Sequence, residues 1–257
     1  MKKIFFILIS TSFIICLSAN AKPPKRRSGD LHTGSLSMRF TNVVDGKELK
    51  LNDSVSLYKN ANGDDFKVTT FKYYISNVRL IAQNGDQTAI PDSYFLINAA
   101  DTATLHQQIA NIPEGKYTGV TFTIGVDSAR NFAGAQTGVL DPAKGMFWSW
   151  NSGYIFVKLE GESSKSTAKK NRLTFHIGGA KDPNNTIRTF TQQFPKILKI
   201  SNGKLPELEL VANAGALFKG KSTVDFSKLN FTMGGPNSVI VADNYANSLF
   251  NVTKIQN

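Results

Sequence analysis

The stretch Gly119-Val-Thr-Phe-Thr-Ile-Gly-Val126 decides how the chain is read. Val120, Phe122, Ile124 and Val126 fall at every second position, separated by glycine and threonine. A period of two puts them on one side of an extended backbone, the mark of a strand with one buried face and one wet face. The alternation recurs in both directions. Leu36, Met38 and Phe40 show it, as do Leu208 and Leu210 between Glu207 and Glu209. Residues 71–81, 94–98, 154–159, 173–177 and 197–200 read as strands in the same way. Asn62-Gly63, Asn84-Gly85, Pro113-Glu-Gly115 and Asn202-Gly203 supply turns between them. So many short strands predict an all-β fold, an antiparallel β-sandwich or a partly closed barrel.

Helix signals are sparse, and one or two short helices are expected. Residues 101–110 predict two turns capped by Asp101, and residues 243–250 a short helix capped by Asp243. The basic, Ser/Thr-rich stretch 165–172 reads as a mobile, solvated loop between strands. There is no internal repeat and no linker after residue 35, so residues 35–257 are expected to form one domain.

Composition narrows the function. With 41% hydrophobic and 19% charged residues, the chain is a folding sequence rather than a disordered one. One cysteine among 257 residues excludes a disulfide framework and any Cys-rich zinc or iron–sulfur site. Three histidines, His32, His106 and His176, exclude a centre built from many imidazoles. No acid pair, nucleophile–base pair or phosphate loop is recognisable, which points away from an enzyme.

Met1-Lys-Lys3, the apolar run from Ile4 to Leu17 and the small residues of Ala19-Asn-Ala21 read as a signal peptide over residues 1–21. The expected product is exported, periplasmic or on the outer surface, and cleavage near Ala21 removes Cys16. Residues 22–34 then form a basic, flexible tail containing Lys22, Lys25, Arg26 and Arg27. Residues 1–27 hold six basic and no acidic residues, so the net charge of +11 falls to +5 over residues 28–257. Such a tail is either a solubilising leader or a weak contact with an anionic membrane surface. No nucleic-acid motif accompanies the charge.

Residues 141–156 concentrate the distinctive chemistry. Both tryptophans, Trp148 and Trp150, lie here, and an extended backbone would put them on one face with Met146. Two indoles and a thioether make a soft, polarisable wall, suited to Cu(I), to a stacked ligand ring or to plain core packing. In Leu173-Thr-Phe-His-Ile177 the apolar residues share one side, so His176 points to the other, away from the core. Gly178-Gly179 follows and permits a close backbone approach beside the imidazole. His176 is either a ligand held in one tautomer by a hydrogen bond or an ordinary surface histidine. Asp127, Arg130 and Asn131 enter a glycine-rich turn, and Asp141 precedes Pro142. Asp127, Asn131 and Asp141 would order these loops, whether around a ligand or only around backbone groups.

Several segments occur together and in order: Phe71-Lys-Tyr-Tyr-Ile-Ser-Asn-Val-Arg-Leu80, Ile112-Pro-Glu-Gly-Lys-Tyr117, Phe122-Thr-Ile-Gly-Val-Asp127, Gly145-Met-Phe-Trp-Ser-Trp-Asn-Ser-Gly-Tyr154, Phe175-His-Ile-Gly178 and Ala242-Asp-Asn-Tyr245. From about residue 35 to the C-terminus the chain resembles the MbnP-like family of periplasmic copper-binding proteins. The resemblance implies an exported β-rich domain that binds copper through histidine. It also implies a tryptophan oxidised to kynurenine and a dihaem peroxidase-type oxidase as the partner that installs it. Position by position, His176 falls on the family's His-x-Gly segment, and Trp148 and Trp150 on its tryptophan segment. The chain departs after Asn131, where some relatives have histidine and this one has Phe132, and no histidine flanks Trp150. One imidazole would need sulfur from Met146 or Met233, an amide, or His32 to complete a site. The expectation is a non-catalytic Cu(I) protein using His176 and Met146, with Trp148 and Trp150 as oxidation or stacking residues. The alternative is a non-metal ligand-binding or structural sandwich that has kept the fold without the metal.

Overall fold

The alternating stretches become strands. In chain order they are β1 (Thr33–Val44), β2 (Lys47–Glu48), β3 (Tyr58–Lys59), β4 (Asp65–Ala82), β5 (Gln87–Ala89), β6 (Tyr94–Asn98), β7 (His106–Pro113) and β8 (Gly115–Ile124). After helix α1 (Ser128–Phe132) come β9 (Phe147–Trp148), β10 (Gly153–Tyr154), β11 (Val157–Glu162), β12 (Arg172–Ile177), β13 (Arg188–Ile200), β14 (Glu207–Asn213) and β15 (Phe231–Met233). Helix α2 (Gly235–Tyr245) and β16 (Phe250–Gln256) complete the fold. This computed structural model describes residues 32–257 except 54, 56, 151 and 152. The leader expected over residues 1–21, and the basic tail up to residue 31, lie outside the described residues.

Two sheets face each other. The smaller runs β16-β14-β1, with β2 and β7 also on β1. The larger runs β13-β8-β4-β11-β12-β15, with β3, β5 and β6 also on β4. Pairing is mostly antiparallel, but β1–β14 and β12–β15 are parallel. Leu36, Met38 and Phe40 of β1 and Leu208 and Leu210 of β14 meet Phe71, Tyr73, Ile75, Leu159, Phe175 and Ile177 in one buried core. Side chains of this size stabilise a fold by about 1.5–3 kcal/mol each when removed from water. The result is the all-β sandwich that the period-two pattern predicts.

Strand β4 organises the larger sheet. Tyr73 pairs with both Val157 and Ile97, and Ile75 with both Ile124 and Phe95. Strands β11 and β8 therefore lie end to end along one edge of β4, with β6 on the other. They meet at Tyr74. The Gly125 N–H donates to the Tyr74 carbonyl (2.9 Å), and the Tyr74 N–H donates to the Phe156 carbonyl (2.9 Å). Residues 125–156 thus leave the sheet and return to it at a single residue.

The exit requires glycine. Gly125 has φ +115°, and a Cβ there would stand 2.6 Å from the Phe156 ring. Strand β8 accordingly stops at Ile124, and Val126 does not continue its buried face as the alternation predicts. Val126 joins a second apolar cluster with Tyr74, Leu140, Met146, Trp148, Tyr154 and Phe156. That cluster covers the face of the larger sheet turned away from the sandwich core, because Tyr74 alternates with Tyr73 and Ile75. Tyr74 and Tyr154 anchor the covering segment through hydroxyls that donate to Val139 O and Leu140 O, each at 2.8 Å.

The helices differ from expectation. Asp101 does cap a turn, accepting from the Ala103 N–H, but helical backbone ends at Leu105. From His106 the chain pairs with β1, burying Ile109 and Ile112, so tertiary pairing overrides a weak local helix signal. Near the C-terminus the helix occupies residues 235–245, with Pro236 in its first turn, and Asp243 lies near its end rather than at its cap. The stretch 165–172 is the expected solvent-facing connection, pinned from within by buried serines. Ser163 and Ser166 are buried, and the Ser166 hydroxyl donates to Arg172 O (2.6 Å).

Candidate functional site

Register across β4, β11, β12 and β15 aligns Lys72, Lys158, His176 and Met233 in one row. The neighbouring row is Thr70, Glu160, Thr174 and Phe231. Both rows lie on the face away from the sandwich core, where the alternation in β12 puts His176. The imidazole is nonetheless only 7% exposed. Its Nε2 lies 2.8 Å from Glu160 Oε1, while Thr70 Oγ1 donates to Glu160 Oε2 (3.0 Å) and Lys158 Nζ stands 3.4 Å from Oε1.

The hydrogen bond from His176, helped by the Lys158 charge and by Thr70, outweighs partial burial and pulls the Glu160 carboxyl down to about 2. At neutral pH the carboxylate is therefore ionised and can only accept, which places the proton on His176 Nε2. Nδ1 has no hydrogen-bond partner among the described residues. In the neutral ring that nitrogen carries the free lone pair, as in a carboxylate-oriented histidine ligand. The half-buried thioether of Met233 is on the neighbouring strand, register-paired with His176.

Two residues beyond His176 on the same face, about 7 Å along the strand direction, Gly178 makes the seat for Trp148. A Cβ on Gly178 would lie 2.9 Å from the indole Cη2 and Cζ3 and 2.5 Å from Tyr154 O. The close approach expected of Gly178-Gly179 is thus filled by a tryptophan. Trp148 is 4% exposed, and its Nε1 has no hydrogen-bond partner among the described residues. The segment is not extended throughout. Strands β9 and β10 pair Trp148 with Gly153 and Phe147 with Tyr154, and Ser149 and Trp150 turn between them. Met146 and Trp148 consequently share the buried cluster, whereas Trp150 is 65% exposed. The two indoles still touch, with centroids 5.4 Å apart and planes tilted by 40°. Met233 packs against the same cluster as Met146 and Trp148. Met233 thus borders both His176 and the cluster of Trp148, in which Met146 is fully buried.

The stem of the covering segment is held by lysines. Lys72 Nζ donates to Lys144 O (3.1 Å) and Lys158 Nζ to Gly145 O (3.4 Å). Burial, reinforced by the Lys158 charge, lowers the Lys72 ammonium below its ordinary range. Asp127 caps α1 through the Arg130 N–H and also accepts from Tyr94 Oη and Asn77 Nδ2. Burial works to raise its carboxyl, and these hydrogen bonds outweigh it and hold it below the usual range. Asn131 Oδ1 accepts from the Tyr154 N–H (2.9 Å), and Asp141 accepts from the Ala143 N–H (2.8 Å). All three thus hold backbone in the covering segment. A pocket of about 250 Å³ opens beside Trp148, between Asn131, Phe132, Tyr154, Gly178 and Gly234.

His106 is exposed on β7 and His32 is exposed just before β1, both on the smaller sheet rather than on the strands around His176. Among the described residues no group of three or more His, Cys, Asp and Glu side chains converges. Glu160 is the participant that sequence reasoning missed. Its alternation in Val157-Lys-Leu-Glu160 announces the outer face, but its meeting with His176 depends on the β11–β12 register.

No curated protein matches the chain. A solved structure, MbnP from Methylosinus trichosporium, is similar at 17% identity with a TM-score of 0.48, covering 76% of this chain and 80% of that one. The family model for MbnP matches residues 33–239. That span takes in every strand from β1 to β15 and the start of α2, and the chain belongs to the MbnP family.

Proposed function

We propose that this chain is an exported, non-catalytic copper-binding protein that holds Cu(I) between His176 Nδ1 and the Met233 thioether. The carrying observation is the Glu160 carboxylate on His176 Nε2. It fixes the tautomer and ring orientation, and such an outer partner commonly changes metal affinity by about 10–100-fold when removed. A thioether and one imidazole are soft, few donors. They fit a monovalent copper ion of low coordination number and fit poorly a tetrahedral zinc centre or a hard oxygen-ligated cation. Met146, fully buried beside Trp148, contributes a polarisable floor in this reading and is a ligand only after the cluster rearranges. Copper would supply a soft, redox-capable ion, and the protein's part is to bind it and shield it from water.

The oxidised tryptophan and the dihaem partner enzyme implied by the resemblance belong to the same reading. Trp150 is the indole that an outside enzyme can reach. The basic residues 22–27 would add a weak contact with an anionic membrane surface after export.

The test is a Cu(I) competition titration against a chromophoric chelator, with His176→Ala, Met233→Leu and Glu160→Gln beside the wild type. Expected are loss of competition with His176→Ala and weakening with each of the other two. A correctly folded wild type that fails to compete, in both the tryptophan form and the form purified from its native host, would overturn the reading. The alternative, a sandwich that has kept the family fold without the metal, would then stand.

A further inference from the structure

We propose that the pocket beside Trp148 is a binding site for a small aromatic carboxylate, independent of the metal reading. Two aromatic residues, Trp148 and the exposed Phe132, line it. Its polar side chains are the amides of Asn131 and Asn184 and the Lys181 ammonium. Asn131 is only 3% exposed, and its Oδ1 is taken by the Tyr154 N–H. That bond orients the amide, so Nδ2, which has no partner among the described residues, is the donor Asn131 brings to the pocket.

The other side of the pocket is the start of α2. Its cap is Gly234, which offers no side chain, and Pro236 in the first turn offers no N–H. Gly234 and Gly235 line the pocket, so the uncapped first turn, with its partial positive charge, faces it. Lys181 stands at the rim and forms no ion pair among the described residues. No carboxylate is among the described lining residues.

An amide donor, a helix N-terminus and an ammonium converging without an acid select an anion. The aromatic walls select a flat, apolar body attached to it. A volume of about 250 Å³ is slightly below that usual for drug-sized ligands, which limits the body to about one ring. The backbone is built for such close approach. Gly234 and Gly235, both at positive φ, bring no Cβ into the space at the start of α2.

The test is calorimetric titration of the metal-free protein with benzoate, alongside benzamide as its neutral counterpart and acetate as its ringless one. Saturable benzoate binding is expected, with benzamide and acetate each weaker by about tenfold or more. Asn131→Asp keeps the acceptor for Tyr154 and replaces the donor with a negative charge, so it should abolish binding. Lys181→Gln, at the exposed rim, should weaken binding severalfold without touching the fold. Equal affinity for benzoate and benzamide would overturn the proposal, as would equal affinity for acetate or the absence of saturation at millimolar benzoate.

Discussion

Glu160→Gln isolates the electrostatic part of the outer face. Gln keeps the shape and an acceptor for His176 Nε2, so the change removes charge and little volume. In the folded protein the Glu160 carboxyl falls from its ordinary 4.5 to about 2, chiefly through its hydrogen bond with His176. Taken at full strength, a displacement of that size is about 3.4 kcal/mol. The side chain is 34% exposed, however, and solvent screens its partners, so about 1–2 kcal/mol is the realistic contribution. The sign follows from linkage. A carboxyl whose folded-state value is depressed adds stability above its unfolded value near 4.5 and loses it as pH falls toward 2. Urea unfolding of wild type and Glu160→Gln at several pH values should therefore show a gap of about 1–2 kcal/mol at pH 7. The gap should narrow from about pH 4.5 downward and close near pH 2. Asp127 and Asp243 are also held below their ordinary range and will destabilise both proteins in acid, which is why the difference is the quantity to follow. A gap that stays constant across this range, or no gap at pH 7, would refute the reasoning.

Two further outcomes test the seat of Trp148. Gly178→Ala should destabilise the fold by about 1–3 kcal/mol, because the new methyl meets a backbone carbonyl at 2.5 Å that cannot move as a side-chain tip would. Urea melts followed by tryptophan fluorescence will read both the loss and the displaced indole, and a variant of native stability and spectrum would contradict the geometry. The tryptophans should also separate sharply: Trp148→Ala costs about 3–5 kcal/mol and Trp150→Ala stays within about 0.5. Similar melting behaviour of the two variants would mean that the burial difference is not real.

The sandwich was legible because its determinant is local. Alternation in Val120-Phe122-Ile124, Leu173-Phe175-Ile177 and Leu208-Leu210 states which side of each strand is buried, whatever its neighbours are. The same reasoning placed His176 on the outer face. It could not say that this face is covered, and so could not distinguish an exposed histidine from one 7% exposed against a carboxylate. Glu160 meets His176 through a diagonal across β11 and β12, and register is a property of the folded sheet that no single strand records. Met233 was named as a possible sulfur donor, but its place beside His176 was hidden: β15 is three residues long and followed by Gly234-Gly235-Pro236, which reads as a turn rather than as the entrance to α2.

The covering segment explains both failures and what the site depends on. Residues 125–156 contain scattered apolar positions with no sustained period, because they pack on a second surface instead of continuing the first. Their one fixed reference is Tyr74, whose carbonyl and N–H receive the exit at Gly125 and the return at Phe156. Gly125 permits the two passes to lie against each other, and any Cβ there would push the Phe156 ring out of the second cluster. The position of Trp148 over Gly178, and so the environment next to His176, follows from that junction rather than from the sandwich core. Sequence changes that preserve Gly125, Phe156 and Gly178 can therefore alter the side chains around His176 without disturbing the fold that carries them.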